Sequence, residues 1–367
     1  MGKEADLLTG FPFPSSGFAK SGIRLLRGSN VKRGVIDWSD EITQCWSAVV
    51  GKIQTYELRN GDLVIAMDGA LVGRSFASIA ESDLPALLVQ RVARLRSKKA
   101  IQGLLRAWVE SDAFVRHVDE VKTHTAIPHI SPKDIRDFLL AVPSDEMEQG
   151  AITRALSDVD ALLGALDLLI AKKRGLKQAA MQQLLTGQTR LPGFHGQWEV
   201  KRFGDMLTIC HGKNQRAVED PSGPHPILAT GGQIGTASKA LYDKPSVLIG
   251  RKGTINQPQY METPFWTVDT LFYSVIKDDN CAKFLFYRFC LIDWMQYNEA
   301  SGVPSLNART IEGVEIAGPA PAEQRAIAAV LSDMDAELSA LETRREKTRA
   351  LKQAMMQELL TGRTRLV

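Results

Sequence analysis

With 367 residues, 44% of them hydrophobic and 24% charged, the chain has room for two or three domains of ordinary globular composition. A net charge of +3 permits a polyanion partner without demanding one, and the four cysteines (Cys45, Cys210, Cys281, Cys290) show no CxxC spacing, which suits a reducing cytoplasm. No apolar run approaches the ~18 residues of a membrane span and MGKEADLLTG lacks a basic-then-apolar signal segment, so a cytoplasmic protein with no membrane partner is expected.

Residues 1–143 form a mixed block. Glycine and proline punctuate it (Thr9-Gly10-Phe11-Pro12-Phe13-Pro14, Gly34, Gly61, Gly69, Gly73) between short strand-like runs. Gly61-Asp-Leu-Val-Ile-Ala-Met-Asp-Gly69 reads as a buried strand that leaves through a turn. From Ile101 to about Val118, Leu104, Leu105, Trp108 and Val109 are spaced as on a helix, and Ile127-Pro128-His129-Ile130 opens a last strand-and-turn passage ending at Pro143.

Residues 144–191 carry a long helix that occurs twice. Ala151–Leu191 recurs without a gap as Ala326–Leu366, with 25 of 41 residues identical, a period that signals two large units. In the first copy Ile152, Leu156, Val159, Leu163, Leu166 and Ile170 alternate steps of four and three; Ile327, Leu331, Met334, Leu338 and Leu341 do so in the second. That 3.5-residue repeat is the seam of a coiled coil and marks these residues as helix-pairing candidates. Lys173 and Thr348 interrupt the apolar stripe, which resumes displaced at Leu176, Ala180 and Leu184 and at Leu351, Met355 and Leu359, predicting a stutter. Each copy stops at Thr-Gly (Thr186-Gly187, Thr361-Gly362), as helices do. About 40 residues give a rod of ~60 Å, and an antiparallel intramolecular pair lets each helix supply the apolar partner the other needs.

Residues 192–320 repeat the first block's plan at low identity. Ser246–Gly253 matches the strand and turn at 62–69, Lys283–Trp294 matches the helix, Val303-Pro304-Ser305-Leu306 matches Ile127–Ile130, and Pro319 matches Pro143. Residues 321–367 are the second long helix. The order is variable block, constant helix, variable block, constant helix, so each block is expected to read something different on a common frame. The fold class expected is α+β, two mixed blocks joined by an antiparallel coiled coil with pseudo-two-fold symmetry.

Catalytic signatures are missing. There is no GxxxxGK[ST] phosphate loop and no GxSxG nucleophile turn, and His117, His124 and His129 fit neither a zinc finger nor HExxH. Asn256-Gln-Pro-Gln-Tyr260 only superficially resembles the Asn-Pro-Pro-Tyr of amino-methyltransferases, and Asp119-Glu120-Val121-Lys122 reads as a solvated helix end rather than a nuclease motif. No cofactor, no metal and no catalytic residue are expected.

These residues resemble the specificity (S) subunit of type I restriction–modification systems. The resemblance rests on Leu176–Gly187 (LKQAAMQQLLTG) and its twin Leu351–Gly362 (LKQAMMQELLTG), on Pro321-Ala-Glu-Gln-Arg-Ala-Ile327 and the partial Glu148-Gln149, and on Leu8–Phe13, Leu248–Thr254 and Pro304–Asn307. It implies two target recognition domains that each read half of a bipartite double-stranded DNA site. It further implies paired helices that set the spacing and dock two modification (methyltransferase) subunits, with restriction (translocase/nuclease) subunits joining them. One departure is that nothing precedes Gly2–Gly10 to match Gln197–Arg202, so the first block is expected to lack a short opening strand or to begin early. Phosphate contacts and base readout favour Lys, Arg, Asn and Gln in loops. The DNA-binding candidates are Lys32, Arg33 and Arg74 in the first block and Lys213, Asn214, Gln215, Arg216, Arg251 and Lys252 in the second, with Thr230–Gly235 offering close backbone approach. Two other readings stay open: a coiled-coil protein–protein scaffold, and the specificity module of a system whose modification and cleavage activities share one chain.

Overall fold

A computed structural model describes residues 1–47, 49, 51–97 and 99–366. Two compact units emerge, Met1–Leu166 with Arg344–Val367, and Asp167–Thr343. Each takes the opening part of one long helix and the closing part of the other.

The first unit holds β1 (Asp6–Thr9), β2 (Ile23–Leu26), β3 (Cys45–Trp46), β4 (Leu63–Ala66), β5 (Phe76–Ser78), β6 (Ala86–Leu88) and β7 (Val92–Arg96), followed by α1 (Lys99–Glu110), α2 (Asp112–Val121), α3 (Pro132–Asp137) and the start of α4 (Glu146–Leu185). An antiparallel sheet runs β1-β7-β4-β5; a smaller one runs β3-β2-β6, with β2 antiparallel to β3 and parallel to β6. The predicted strand at 62–69 is β4, whose four residues are all buried. Successive side chains of a strand point to opposite faces. Leu63 and Ile65 therefore pack with Leu104, Leu105 and Phe114 of α1 and α2, while Val64 and Ala66 pack with Leu26 and Leu88 of the smaller sheet. Covered on both faces, β4 shows an unbroken apolar run rather than alternation.

The second unit repeats this plan. It contains β8 (Glu199–Arg202), α5 (Phe203–Met206), β9 (Leu207–Cys210), β10 (His225–Ala229), β11 (Gly232–Ala237), β12 (Ser246–Gly250), β13 (Gln259–Met261), β14 (Trp266–Thr267), β15 (Leu271–Ile276), α6 (Ala282–Leu291), α7 (Ala308–Gly313), β16 (Glu315–Gly318) and the start of α8 (Pro321–Leu360). Its main sheet runs β9-β15-β12-β13, and β10 lies antiparallel to β11 and parallel to β14. Val247 and Ile249 of β12 face Phe284 and Leu285 of α6, and Leu248 faces Leu228 and Phe265. The second unit adds the antiparallel pair β8–β16. Among the described residues the first unit has no such pair, and its Met1 ammonium donates to the carbonyls of Phe138 (2.6 Å) and Arg136 (3.2 Å).

Both long helices span 40 residues and pack together antiparallel. In the first unit Ile152 and Leu156 near the start of α4 share a core with Met356, Leu359 and Leu360 near the end of α8. In the second, Leu184 and Leu185 at the end of α4 share a core with Ile327 and Leu331 at the start of α8. The same two clamps close both units. Glu148 is gripped by both arms of the Arg365 guanidinium (2.5 and 2.6 Å), and Glu323 by both arms of Arg190 (2.6 Å each). The neighbouring amides, Gln149 and Gln324, donate to the carbonyls of Pro143 (2.7 Å) and Pro319 (3.0 Å). Gly187 and Gly362 end the rods at φ of 74° and 71°, the left-handed position that favours glycine.

The predicted stutter is absent. Leu176 and Leu351 are 49% and 55% exposed, whereas Thr348 and Lys352 are 8% and 6% exposed and Lys173 and Lys177 are half-buried. The four–three alternation runs on through residues 173, 177, 180 and 184 and through 345, 348, 352, 355 and 359, with polar side chains in the seam. Three of these charges meet carboxylates on the opposite helix, and one of the three also meets a carboxylate of α1. Lys173 pairs with Glu337 (2.7 Å), Lys177 with Asp335, and Lys352 with Glu110 (2.5 Å) and Asp160 (2.7 Å). Of the helix-pairing candidates, Ile152, Leu156, Leu166, Ile170, Ile327, Leu331 and Leu338 are buried, and Val159, Leu163, Met334 and Leu341 half-buried.

Candidate nucleic-acid interface

Each unit presents one loop platform built the same way. Past β4, the Gly69 amide donates to the Pro128 carbonyl (3.0 Å) and the Ile130 amide to the Met67 carbonyl (2.9 Å). Past β12, the Gly253 amide donates to the Pro304 carbonyl (2.9 Å) and the Leu306 amide to the Arg251 carbonyl (3.0 Å). Gly69 and Gly253 sit at φ of 100° and 90°, where a Cβ would be strained. The segments joined are those that correspond in sequence between the blocks, 62–69 with 246–253 and 127–130 with 303–306. Ile127 and Val303, which precede the two prolines, are each 66% exposed.

In the first unit the candidate cations have different surroundings. Lys32 is exposed and lies 3.8 Å from Asp37. Its loop is knitted to β5 through Gly34 and Phe76. Arg33 is exposed, and with Arg116, Arg349 and Arg363 it lines a cavity of about 850 Å³ whose other walls include Trp108, Met356 and Leu360. Arg74 is committed inside the unit, bonding both oxygens of Asp119 (2.9 and 3.3 Å), while Lys122 reaches the same carboxylate (2.6 Å). The Arg74 bonds first, and Lys122 second, hold the Asp119 carboxyl down to about 2. The Asp119-Glu120-Val121-Lys122 segment is thus an ion-paired helix end.

In the second unit Lys213, Asn214, Gln215 and Arg216 lie in the turn after β9. The Lys213 amide donates to the Thr267 carbonyl (2.8 Å), and the Lys213 carbonyl accepts from the Trp266 indole (2.8 Å). Asn214 accepts from the Arg216 amide (2.9 Å), an Asx turn that leaves the Lys213 and Arg216 side chains exposed. The Gln215 carbonyl accepts from the Val218 and Glu219 amides (2.9 Å each). Arg251 is half-buried with its guanidinium 3.3 Å from the Asp269 carbonyl, and Lys252 is exposed. Thr230–Gly235 forms the β10–β11 hairpin, whose tip accepts the Gln259 side-chain amide at the Ala229 (3.1 Å) and Thr230 (3.4 Å) carbonyls. The structure thus brings Arg251 and Lys252 close to this hairpin and to the 303–306 segment. Trp266, which anchors the Lys213 turn from another strand, was not singled out in the sequence, because only the fold brings it there. Among the described residues no three His, Cys, Asp or Glu side chains gather in a way that could hold a metal ion, and no helix is long and apolar enough to cross a membrane.

Residues 195–350 match the model of the type I restriction modification DNA specificity domain. The chain is 31% identical over 189 residues to the type I restriction enzyme EcoAI specificity subunit of Escherichia coli, a match covering 50% of this chain and 30% of that protein. It is 26% identical over 190 residues to the type I restriction enzyme MjaVIII specificity subunit of Methanocaldococcus jannaschii, covering 51% of this chain and 44% of that one. The matches thus span less than half the length of either relative. Among solved structures, the S subunit of a type I restriction–modification system from M. genitalium shares the fold over 98% of this chain and 94% of that one, with a TM-score of 0.68 at 14% identity.

Proposed function

We propose, from the premise that residues 195–350 belong to the type I restriction modification DNA specificity domain family and that the whole chain has the fold of a type I S subunit, that this protein selects the DNA sequence on which a restriction–modification complex acts. Each unit reads one half of a bipartite double-stranded site through its loop platform and neighbouring turns. The α4–α8 pair fixes the unread gap and docks two modification subunits, which carry the methyl-transfer chemistry, and restriction subunits join that assembly in the cytoplasm. The phosphate and base contacts fall to Lys32, Arg33, Lys213, Asn214, Gln215, Arg216, Arg251 and Lys252, and Arg74 acts by bracing its loop against α2.

One observation carries this reading. Two units with the same strand order and the same pinned loops hold different residues on those loops, while the long helices share 25 of 41 residues. A reader of two unlike half-sites needs that combination, and half-sites read from one face of B-DNA lie about 34 Å, or a multiple of it, apart. The test is methylation mapping in cells carrying this chain with its modification subunits, with and without an intact gene for the chain. A two-part motif with a fixed unread gap that disappears with the chain is expected. A protein–protein scaffold would leave methylation unchanged, and its binding would not weaken steeply with salt as phosphate contacts do.

A further inference from the structure

The 251–258 loop carries two side chains that the function above does not yet use. β12 and β13 are joined by Arg251-Lys252-Gly253-Thr254-Ile255-Asn256-Gln257-Pro258. The loop has a fixed neck, because a Cβ on Gly250 would run into the Thr254 carbonyl and the Gly253 amide is tied to Pro304. It has a fixed middle as well: Ile255 is fully buried in the core formed with α6 and α8. Its far end is held by Pro258 and by Gln259, which bonds the β10–β11 hairpin. Between the buried Ile255 and Pro258 stand Asn256 and Gln257, both exposed, and neither side-chain amide bonds a described residue.

Two free carboxamides on a braced loop are unusual in their cost. Exposed Asn and Gln in a mobile loop lose conformational entropy on binding, whereas here the backbone is ordered beforehand. A carboxamide offers one donor and one acceptor side by side, the pattern that matches N6 and N7 of adenine in the major groove. The corresponding loop of the first unit buries its apolar anchor one position later, at Val72, and follows it with Gly73 and with Arg74, which is held by Asp119. The two platforms therefore offer different chemistry at the same place.

We propose that Asn256 and Gln257 are specificity-determining residues that read adenine edges in the half-site assigned to the second unit. This rests on the reading of the chain as a DNA specificity subunit. Arg251 and Lys252 on the same loop supply its phosphate contacts, so the loop docks on the backbone and reads bases from one rigid body.

The experiment uses the full chain assembled with its modification subunits. Asn256→Ala with Gln257→Ala removes the amides, and Asn256→Asp with Gln257→Glu keeps their shape while leaving only acceptors, which suit the amino group of cytosine and repel N7 of adenine. Methylation motifs and kcat/KM on oligonucleotides carrying single base changes are measured for each. The alanine variant is expected to lose about 10- to 100-fold of discrimination at one or two positions of a single half-site. The acidic variant is expected to disfavour adenine at those same positions, an outcome that a merely structural role would not produce. The other half-site and the gap stay as in the wild type, and so does the melting temperature. A wild-type complex without a bipartite motif removes the premise and this inference together. A bipartite motif whose base discrimination neither variant alters, or alters only in the other half-site, overturns the inference alone.

Discussion

Replacing Lys352 by methionine tests whether the charged residues of the seam hold it together or merely occupy it. Lys352 is 6% exposed, and its ammonium faces Glu110 at 2.5 Å and Asp160 at 2.7 Å. Methionine keeps most of the apolar stem but leaves two carboxylates without their shared cation. Removing one partner of a fully buried pair costs about 3–5 kcal/mol. Here the carboxylate side chains retain 22% and 25% of their exposure and Asp160 keeps Arg106 at 3.0 Å, so a loss of roughly 2–3 kcal/mol is expected. For a unit of this size that lowers Tm by roughly 4–12 °C. The internal control is Lys177, the repeat-related residue facing Asp335: its side chain is 22% exposed and its partner's 40%, so Lys177→Met falls in the surface range of about 0–1 kcal/mol. A third variant, Lys352→Met with Glu110→Gln and Asp160→Asn, removes the stranded charges and is expected to regain at least half of the loss. Calorimetry on the purified chain reads all three. If Lys177→Met costs as much as Lys352→Met, or if the triple variant is no better than the single one, the electrostatic account of the seam is wrong.

Three further outcomes are expected. Seven residues inserted into each helix, after Ile170 and after Arg345, preserve the alternation and add ~10.5 Å, so methylation mapping is expected to show the unread gap longer by about three base pairs with both half-sites intact; changed half-sites beside an unchanged gap would contradict the spacer role. Asp119 is held at about 2, below its ordinary value near 3.8, so its pairing stabilises the fold above roughly pH 4 and that contribution is lost as pH falls towards 2. Asp119→Asn should therefore melt with a shallower acid dependence than the wild type over that window, by no more than about 1 kcal/mol, and identical slopes would refute the assignment. Ile255→Ala empties a fully buried site and should cost about 2–5 kcal/mol in urea unfolding; a loss below ~1 kcal/mol would mean that the loop is not anchored there.

What the sequence revealed and what it hid follow from the range of the interactions. The long helices were legible because their repeat is local and occurs twice. The strand at 62–69 and its partner passage at 127–130 were legible because the second block repeats them, down to the proline whose carbonyl meets the glycine amide. The course of the seam beyond Ile170 is not legible from apolar residues alone. Lysine can occupy a seam when a carboxylate waits opposite, and the carboxylate that meets Lys352 from α1 is Glu110, far away in the chain. The partner of Arg74 was hidden for the same reason, since Asp119 reaches it only through folding. The smaller sheets were invisible because strands as short as Cys45–Trp46 and Trp266–Thr267 carry too few residues for any periodicity to register.

The clamp between Arg365 and Glu148 bears on how the protein is made. During synthesis the first block leaves the ribosome long before the segment 344–366 that fills its core and closes its clamp. Until then Ile152, Leu156 and the surface that will receive Met356 and Leu359 stay open to water and to other chains. A chain that stops before residue 344 therefore leaves Ile152 and Leu156 without Met356, Leu359 and Leu360, and the first half then carries an uncovered apolar seam.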